Sequence, residues 1–453
     1  MIERYTRERM GMLWSELSIK TMWMQVELAA LWAKEQLGMA PTGAYEAARK
    51  VEITEEILVV AAEYEKVKDH DLIAFVDAVV ERLEEFVRAF FHVGLTSYCV
   101  EDTSLALAIQ KSIAIILEGL SKLRSALRRR ADEHRFTVMV ARTHNIHAEP
   151  TSFGLKLLGW VDVLDRHIAR LKYVRKEIAV GKLSGAVGTY PLPPVVEETA
   201  CKFLGLRPAK ISTQIISRDF LAHYAMTLVG VANSLDRFAT EIRHLAGTDV
   251  AEVRERAKPG ASGSSAMPWK SFLKNPIKSE NTCGLARISR GYIIPALECE
   301  VVWGERTLEN SSAERIYLPD LCTIVDFMLN RFAGVMDKLE VFPKQMTRNL
   351  WKTGGMVFGQ RVMMKMTEKG MTRKTAYEIL EGLCMSMEFG PFVMPDGKNF
   401  RDLVYANPVI RQLVTAEELD NCFNPADSLK HINEIFGRFG FKQKKIPVYQ
   451  MPE

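Results

Sequence analysis

The stretch LALAIQKSIAIILEGLSKLRSAL, residues 105–127, places Leu105, Ile109, Ile113, Ile116, Leu120, Leu123 and Leu127 three or four positions apart. That step is the period of an α-helix, so all seven side chains fall on one face. The same stepping recurs at Leu157, Val161, Leu164, Ile168, Leu171, Val174 and Ile178, and again at Leu228, Val231, Leu235, Phe238, Ile242 and Leu245. Helices of about 20–28 residues rise about 30–42 Å, longer than the globular average, and apolar stripes of that length must bury against one another in a bundle. Period-2 alternation bounded by hairpin turns is scarce, apart from a short ribbon expected around residues 185–190. The sequence therefore predicts an all-α fold built on a central long-helix bundle.

Working outward, Gly94 to Thr103 reads as a turn-rich break, and Lys365 to Thr372, with Gly370 inside it, as a second. A three-part chain follows, divided as 1–111, 112–365 and 366–453. Residues 390–400, with two prolines and two glycines, read as a surface loop, and the tail from Lys442 to Pro452-Glu453 as loosely attached.

Composition narrows the function classes. Hydrophobic residues make up 47% and charged residues 26% of the 453, which suits a folded globular enzyme. The net charge of +4 is too small for a nucleic-acid coat, and basic side chains alternate with acidic ones at helical spacing. The seven cysteines are dispersed without a CxxC pair, which predicts reduced thiols in a cytoplasm rather than disulfides or a zinc cage. No apolar run of about 18 residues and no signal-like N-terminus are present, so neither a membrane span nor secretion is expected.

Reactive groups gather in one polar segment, GSSAMPWKSFLKNPIKSE at residues 263–280, which begins upstream at Lys258-Pro259-Gly260. Connections longer than about 12–15 residues are usually lids or binding loops. Ser264 and Ser265 offer hydroxyls, Lys270 and Asn275 a cation and an amide suited to carboxylates, and Glu280 follows on an expected helix. A plain polar linker would not mix these with buried-type residues Met267, Trp269 and Phe272. A serine could remove a carbon-bound proton only if its alkoxide were stabilised by cations and oriented N–H groups, for which Lys270 is the local candidate.

A second cluster, RTHNIHAEP at residues 142–150, leads into a long helix. One of its histidines could be a general acid, since imidazole titrates near neutrality. The alternatives are a satisfied structural histidine, or a metal pair at His144 and His147, which would need a third ligand that is not nearby. A third cluster, FHVGLTS at residues 91–97, precedes a helix expected to hold Glu101 and Asp102 in its first turn. Its hydroxyls and N–H groups suit either an anion or an ordinary helix cap. Asp69-His70-Asp71, Ser212-Thr213-Gln214 and Ser311 to Arg315 each read singly as capped or solvated helix ends.

Taken together, these pieces resemble the fumarase/aspartase superfamily and, within it, the adenylosuccinate lyase family. The resemblance covers nearly the whole chain. It is carried by GSSAMP at 263–268 followed by K, NP and SE, by HVGLTS at 92–97, ARTHNIHAEPTSFG at 141–154, GKLSGAVGT at 181–189, STQ at 212–214, SSAERIYLPD at 311–320 and IERYTR at 2–7. It implies a homotetramer whose central helices pool into a shared multi-helix core, with each active site assembled from three chains. It also implies anti β-elimination of fumarate from adenylosuccinate, giving AMP, and from the succinylated aminoimidazole carboxamide ribotide of purine synthesis, with no cofactor or metal.

Residue by residue, the resemblance implies that Ser264 is the base and His144 the acid, paired with Glu280. Lys270, Asn275, Thr96, Ser97, Gln214 and Ser265 would hold the succinyl carboxylates and their surroundings. Arg4, Tyr5, His92, Arg306, Ser311 and Arg315 would face phosphate and ribose, and His70 with Asp69 and Asp71 would line the base and the reacting nitrogen. The chain departs from the family pattern at Trp269, where histidine is usual, at Ser271-Phe272-Leu273, which are inserted, and at Cys99, where aspartate is usual. It departs again at Asp69, where arginine is common, and across residues 304–310. The departures leave open which of Lys270 and Lys274 meets a carboxylate. They also leave two alternatives, a related lyase acting on a different N-succinyl compound and a catalytically silent helical scaffold.

Overall fold

The computed structural model describes residues 1–257, 260 and 263–449. Lys258 and Pro259 at the head of the polar loop, and Pro452-Glu453 in the tail, lie outside the described residues.

The three stripes lie on helices Ser97–Glu133, Phe153–Glu177 and Asp219–Leu245, of 37, 25 and 27 residues, with Ile178 just past the end of the second. Ile109, Ile113, Ile116, Leu120, Leu123 and Leu127 are all fully buried, as are all six members of the 228–245 stripe. Each such side chain contributes roughly 1.5–3 kcal/mol relative to exposure, which is what makes helices this long stable. A fourth long helix, Glu309–Lys338, carries Pro319 inside it. Ser97–Glu133 is long and apolar enough to cross a bilayer by length and composition, but 61% of its most apolar window is buried within the protein, as befits a bundle core.

Contacts divide the chain into two units. The first comprises Met1–Lys122, Leu164–Arg237 and Asn281–Arg331; the second comprises Leu123–Val163, Phe238–Glu280 and Phe332–Glu453. In the first, Trp23 of helix Glu16–Gln36 meets the edge of Phe75 from helix Asp71–Val80 in the core beneath the N-terminal segment. In the second, Trp160 stacks on Phe238 at 4.6 Å.

The structure corrects the sequence reading at several points. Residues 138–152 form an antiparallel hairpin, Val138–Thr143 with Ile146–Ser152, that the helical pattern did not predict. No strand forms across residues 185–190, which are irregular; the neighbouring Val180–Gly181 pairs in parallel with Arg207–Pro208 instead. The break at Gly94 ends sooner than expected, because the helix begins at Ser97 and so places Glu101 and Asp102 in its second turn. Ser212 to Gln214 is an irregular segment rather than a helix end. The described part of the tail, up to Tyr449, is tied down: Arg135 donates to the Lys442 carbonyl at 2.8 Å, Lys444 pairs with Asp132 at 2.8 Å, and the Tyr449 hydroxyl donates to the Phe136 carbonyl at 2.5 Å.

Two local readings hold. Gly370 adopts φ +97° at the end of helix Gly359–Glu368, and Thr372 caps the next helix. Asp69 closes helix Glu55–Lys68 in a left-handed conformation, and His70 caps the start of Asp71–Val80.

Candidate active site

In the first unit, the HVGLTS loop is held by two buried charges from helix Glu16–Gln36. Glu27, 1% exposed, meets His92 Nδ1 at 2.6 Å, and Lys34 Nζ donates to the Phe90 and Val93 carbonyls at 2.7 and 3.1 Å. Seven residues apart, Glu27 and Lys34 share a helix face, so one element grips the loop twice. Burial pushes the Lys34 ammonium down to about 8, against the pull of Glu27. His92 itself sits at φ +58°, a conformation such a loop must hold by its contacts.

Thr96 and Ser97 lead into the long helix, whose next residue, Tyr98, carries the Arg306 guanidinium 4.0 Å from its ring centre. Arg306 Nη1 donates to Gln214 Oε1 at 3.1 Å, and Thr213 Oγ1 donates to the Glu305 carbonyl at 2.7 Å. The structure thus brings Gln214 and Arg306, 92 positions apart, into direct contact. Beneath them, the loop at residues 185–189 closes on Ser212: Ser184 Oγ and Ser212 Oγ are 2.7 Å apart. Gly188, at φ +80°, approaches so near that a β-carbon would stand 2.1 Å from the Ser212 carbonyl oxygen.

Arg315 pairs with Asp71 at 2.6 Å and with Glu101 at 3.3 Å. These three, with Lys20, Ser311 and Glu314, line a cavity of about 410 Å³ in this unit. Burial alone would raise the Asp71 carboxyl, but Arg315 and Lys20 outweigh it and hold it below the ordinary range. Glu101 goes the other way, raised by burial and by Asp71. Tyr5 packs edge-on against Phe327, and Arg4 beside it is exposed. His70 is exposed as well, its Nδ1 accepting the Ile73 N–H at 3.4 Å.

Behind the cavity, Arg218 is 4% exposed and forks between two carboxylates, Asp102 at 2.8 Å and Glu314 at 3.0 Å. One guanidinium neutralises one carboxylate, and burial pushes the second, Glu314, up to about 7 despite Arg218. The folded protein therefore holds a proton on Glu314 that the unfolded chain, titrating near 4.5, has already released. Stability from this group is full below about pH 4.5 and is lost as pH rises through about 7. Thermal unfolding scans across that interval should show the parent losing more than Glu314→Gln; parallel profiles would contradict the assignment.

In the second unit, His144 sits at the tip of the hairpin. Thr143 pairs with Ile146, and His144 and Asn145 between them adopt φ +54° and +64°, the geometry of a type I′ turn. The tip is exposed, and its base is anchored by Arg142, which donates to buried Glu252 at 2.8 and 3.2 Å, while Asn349 donates to the same carboxylate at 2.8 Å. The His144 and His147 pair therefore stands on strands and a turn, where the one-face helical spacing of i,i+3 does not apply. Burial, then Arg142, lower the His147 imidazole.

Ser264 Oγ accepts the N–H groups of Ala266 and Met267 at 3.2 and 3.1 Å. Such donors favour an alkoxide over a neutral hydroxyl. The loop folds back on itself, with Asn275 Nδ2 donating to the Gly263 carbonyl at 3.0 Å. The inserted Ser271-Phe272-Leu273 form, with Lys270, one helical turn whose Phe272 carbonyl accepts from Arg254 at 2.8 Å. Trp269 and Phe272, read as buried types, are 61% and 74% exposed. Glu255 accepts from Ser279 N–H and Oγ and from Lys278 N–H, fixing the start of helix Ile277–Gly291, on which Glu280 is exposed. Among the described residues, no hydrogen bond or ion pair joins Glu280 to His144.

The sequence reading missed Glu27, Arg218, Glu252 and Glu255, all acting from beneath named motifs. Glu27 was signalled only by a charge on an otherwise apolar helix face; Arg218 lies in the turn before helix Asp219–Leu245, and Glu252 and Glu255 flank the two-residue strand Val253–Arg254.

A family model described as Lyase matches residues 6–290, and one described as Adenylosuccinate lyase C-terminus matches residues 355–439. The chain is 44% identical to adenylosuccinate lyase of Synechocystis sp. over 97% of its length and 99% of that protein's. It is 41% identical to adenylosuccinate lyase of Staphylococcus saprophyticus over 98% of its length and the whole of that protein. Among solved structures, a fumarate lyase from Mesorhizobium sp. superposes with a TM-score of 0.85 at 24% identity, covering 96% of this chain and 99% of that one. A 3-carboxy-cis,cis-muconate lactonizing enzyme from Pseudomonas putida superposes at 0.84 and 26% identity, covering 96% of both chains.

Proposed function

The chain belongs to the adenylosuccinate lyase family, and from that premise we propose that it eliminates fumarate from adenylosuccinate to give AMP, and from the succinylated aminoimidazole carboxamide ribotide of purine synthesis. The match to adenylosuccinate lyases across nearly the full chain carries this reading. A base removes the proton beside a succinyl carboxylate, the carbanion is held by donors around that carboxylate, and an acid protonates the departing nitrogen.

In this reading Ser264 is the base, supported by the two N–H groups already directed at its oxygen. His144 is the acid on its exposed turn, with Glu280 as its partner. Thr96, Ser97, Ser265, Gln214, Lys270 and Asn275 serve the succinyl end; Arg4, Tyr5, His92, Arg306, Ser311 and Arg315 the phosphate and ribose; His70, Asp69 and Asp71 the nucleobase and the reacting nitrogen. The enzyme is a cytoplasmic homotetramer, in the three-part layout 1–111, 112–365 and 366–453, with each site shared between chains. Sharing gives Glu280 and His144, unpaired with each other within one chain, a way to meet.

The test is ultraviolet absorbance during incubation with adenylosuccinate, with fumarate assayed at the end. Loss of the succinyl-purine signal with matching fumarate supports the reading. No reaction from folded protein sinks it and turns the search to other N-succinyl compounds.

Sharing of sites is tested by mixing Ser264→Ala and His144→Ala proteins under subunit exchange; no regained activity would count against it. For the loop, Lys270→Ala should lower turnover more than Lys274→Ala, and the reverse order would move the carboxylate contact to Lys274.

A further inference from the structure

Lys182 lies in GKLSGAVGT and is completely buried, yet nothing in the proposed reaction uses it. Its ammonium donates to three acceptors: the Gly185 carbonyl at 2.9 Å, the Gln214 carbonyl at 2.8 Å and Cys99 Sγ at 3.6 Å. Its backbone is tied to the long helix in both directions, the N–H donating to Thr103 Oγ1 at 3.0 Å and the carbonyl accepting from the same hydroxyl at 3.1 Å. The side chain therefore starts from a fixed point on the helix and ends where two separate loops present their carbonyls.

Without the ammonium, those two carbonyl dipoles would face a buried space with their oxygens unpaired, a cost that would drive the loops apart. With it, a closed circuit forms. Tyr98 and Cys99 are consecutive on the helix; Tyr98 carries Arg306, Arg306 bonds the Gln214 side chain, and Lys182 links the Gln214 backbone to Cys99. The Ser184 and Ser212 hydroxyls form a second, weaker tie between the same loops.

We infer that Lys182 is a positioning residue that sets the Gln214 amide and, through it, the Arg306 guanidinium for an anionic substrate group. The inference rests on the proposed reading that Gln214 and Arg306 meet the substrate. It adds a residue that touches no substrate atom and yet governs affinity for the substrate.

The decisive experiment is a double-mutant cycle on the full-length protein with Lys182→Met, Gln214→Ala and the pair. Circular dichroism serves as the control for folding. Lys182→Met should raise KM about 10–30-fold with a smaller change in kcat, and the pair should lose little more than Gln214→Ala alone, because both changes act through one contact. Hydrogen exchange, which needs no substrate, should show faster exchange across residues 212–216 in Lys182→Met. Ser184→Ala should shift KM less than threefold.

Losses that multiply in the pair, unchanged exchange at 212–216, or a Ser184→Ala effect matching that of Lys182→Met would each overturn the inference. If Lys182→Met is too unstable to purify, Lys182→Gln, which keeps two N–H donors in the pocket, is read in the same way. A parent inactive on adenylosuccinate would defeat the proposed reaction while leaving the exchange measurement to judge Lys182.

Discussion

Replacing Ser264 by alanine is expected to lower kcat by about a hundredfold or more, in line with the 10²–10⁴ that a positioned acid or base contributes. The expectation follows from the oxygen's surroundings. Two backbone N–H groups point at Ser264 Oγ, and the loop that presents it is closed by the Asn275 bond to Gly263. Alanine removes the oxygen while leaving that closure in place, so circular dichroism and native mass should match the parent. His144→Ala should fall by a similar factor, since the change takes the proposed acid from a turn whose strands are anchored elsewhere, at Arg142 and Glu252. Turnover near the parent level in either variant would remove the role assigned to that residue.

Arg218→Met should be the most destabilising single change, by about 3–5 kcal/mol, the cost typical of breaking a buried ion pair from one side. Methionine fills much of the volume but leaves Asp102 and Glu314 facing each other, 3% and 7% exposed at their side chains, with no cation between them. Asp102 also accepts the Ile216 N–H at 2.7 Å, so the loss reaches the segment just beyond Gln214. Denaturant unfolding at a fixed protein concentration reads the difference. Adding Asp102→Asn to Arg218→Met should recover part of it, because the second change removes the charge left stranded by the first. A shift within about 1 kcal/mol of the parent would mean that the fork contributes little beyond its packing.

The long helices were legible because every stripe residue obeys one period, and the fully buried run from Ile109 to Leu127 is what that period demands. The hairpin was not legible. Its first strand, Val138–Thr143, is buried at three successive residues, so it shows no alternation, and its register slips between Val140 and Arg142. Its turn is His144-Asn145 rather than a glycine pair; asparagine's tolerance of the left-handed region was the one clue available. The attachment of the tail was hidden for a different reason. Two of its ties end on backbone carbonyls, of Lys442 and Phe136, and a carbonyl leaves no mark on composition.

For the candidate site, motifs located the residues and the structure supplied their company. Gln214 with Arg306, and Asp71 with Arg315, are contacts between distant segments that no local spacing encodes. Of the charges beneath them, Glu27 sits on a helix face where a sequence pattern expects apolar side chains, while Lys182 and Arg218 lie in irregular segments that carry no period, so a reading by periodicity passes over all three.

Gly188 has a consequence at the level of the gene. Every amino-acid change that one nucleotide substitution can make from a glycine codon introduces a β-carbon, and here that atom would stand 2.1 Å from the Ser212 oxygen, on a backbone at φ +80°. No neighbouring genotype offers a milder version of this residue. A point mutation in this codon is therefore expected either to be silent or to force Gly188 and Ser212 apart.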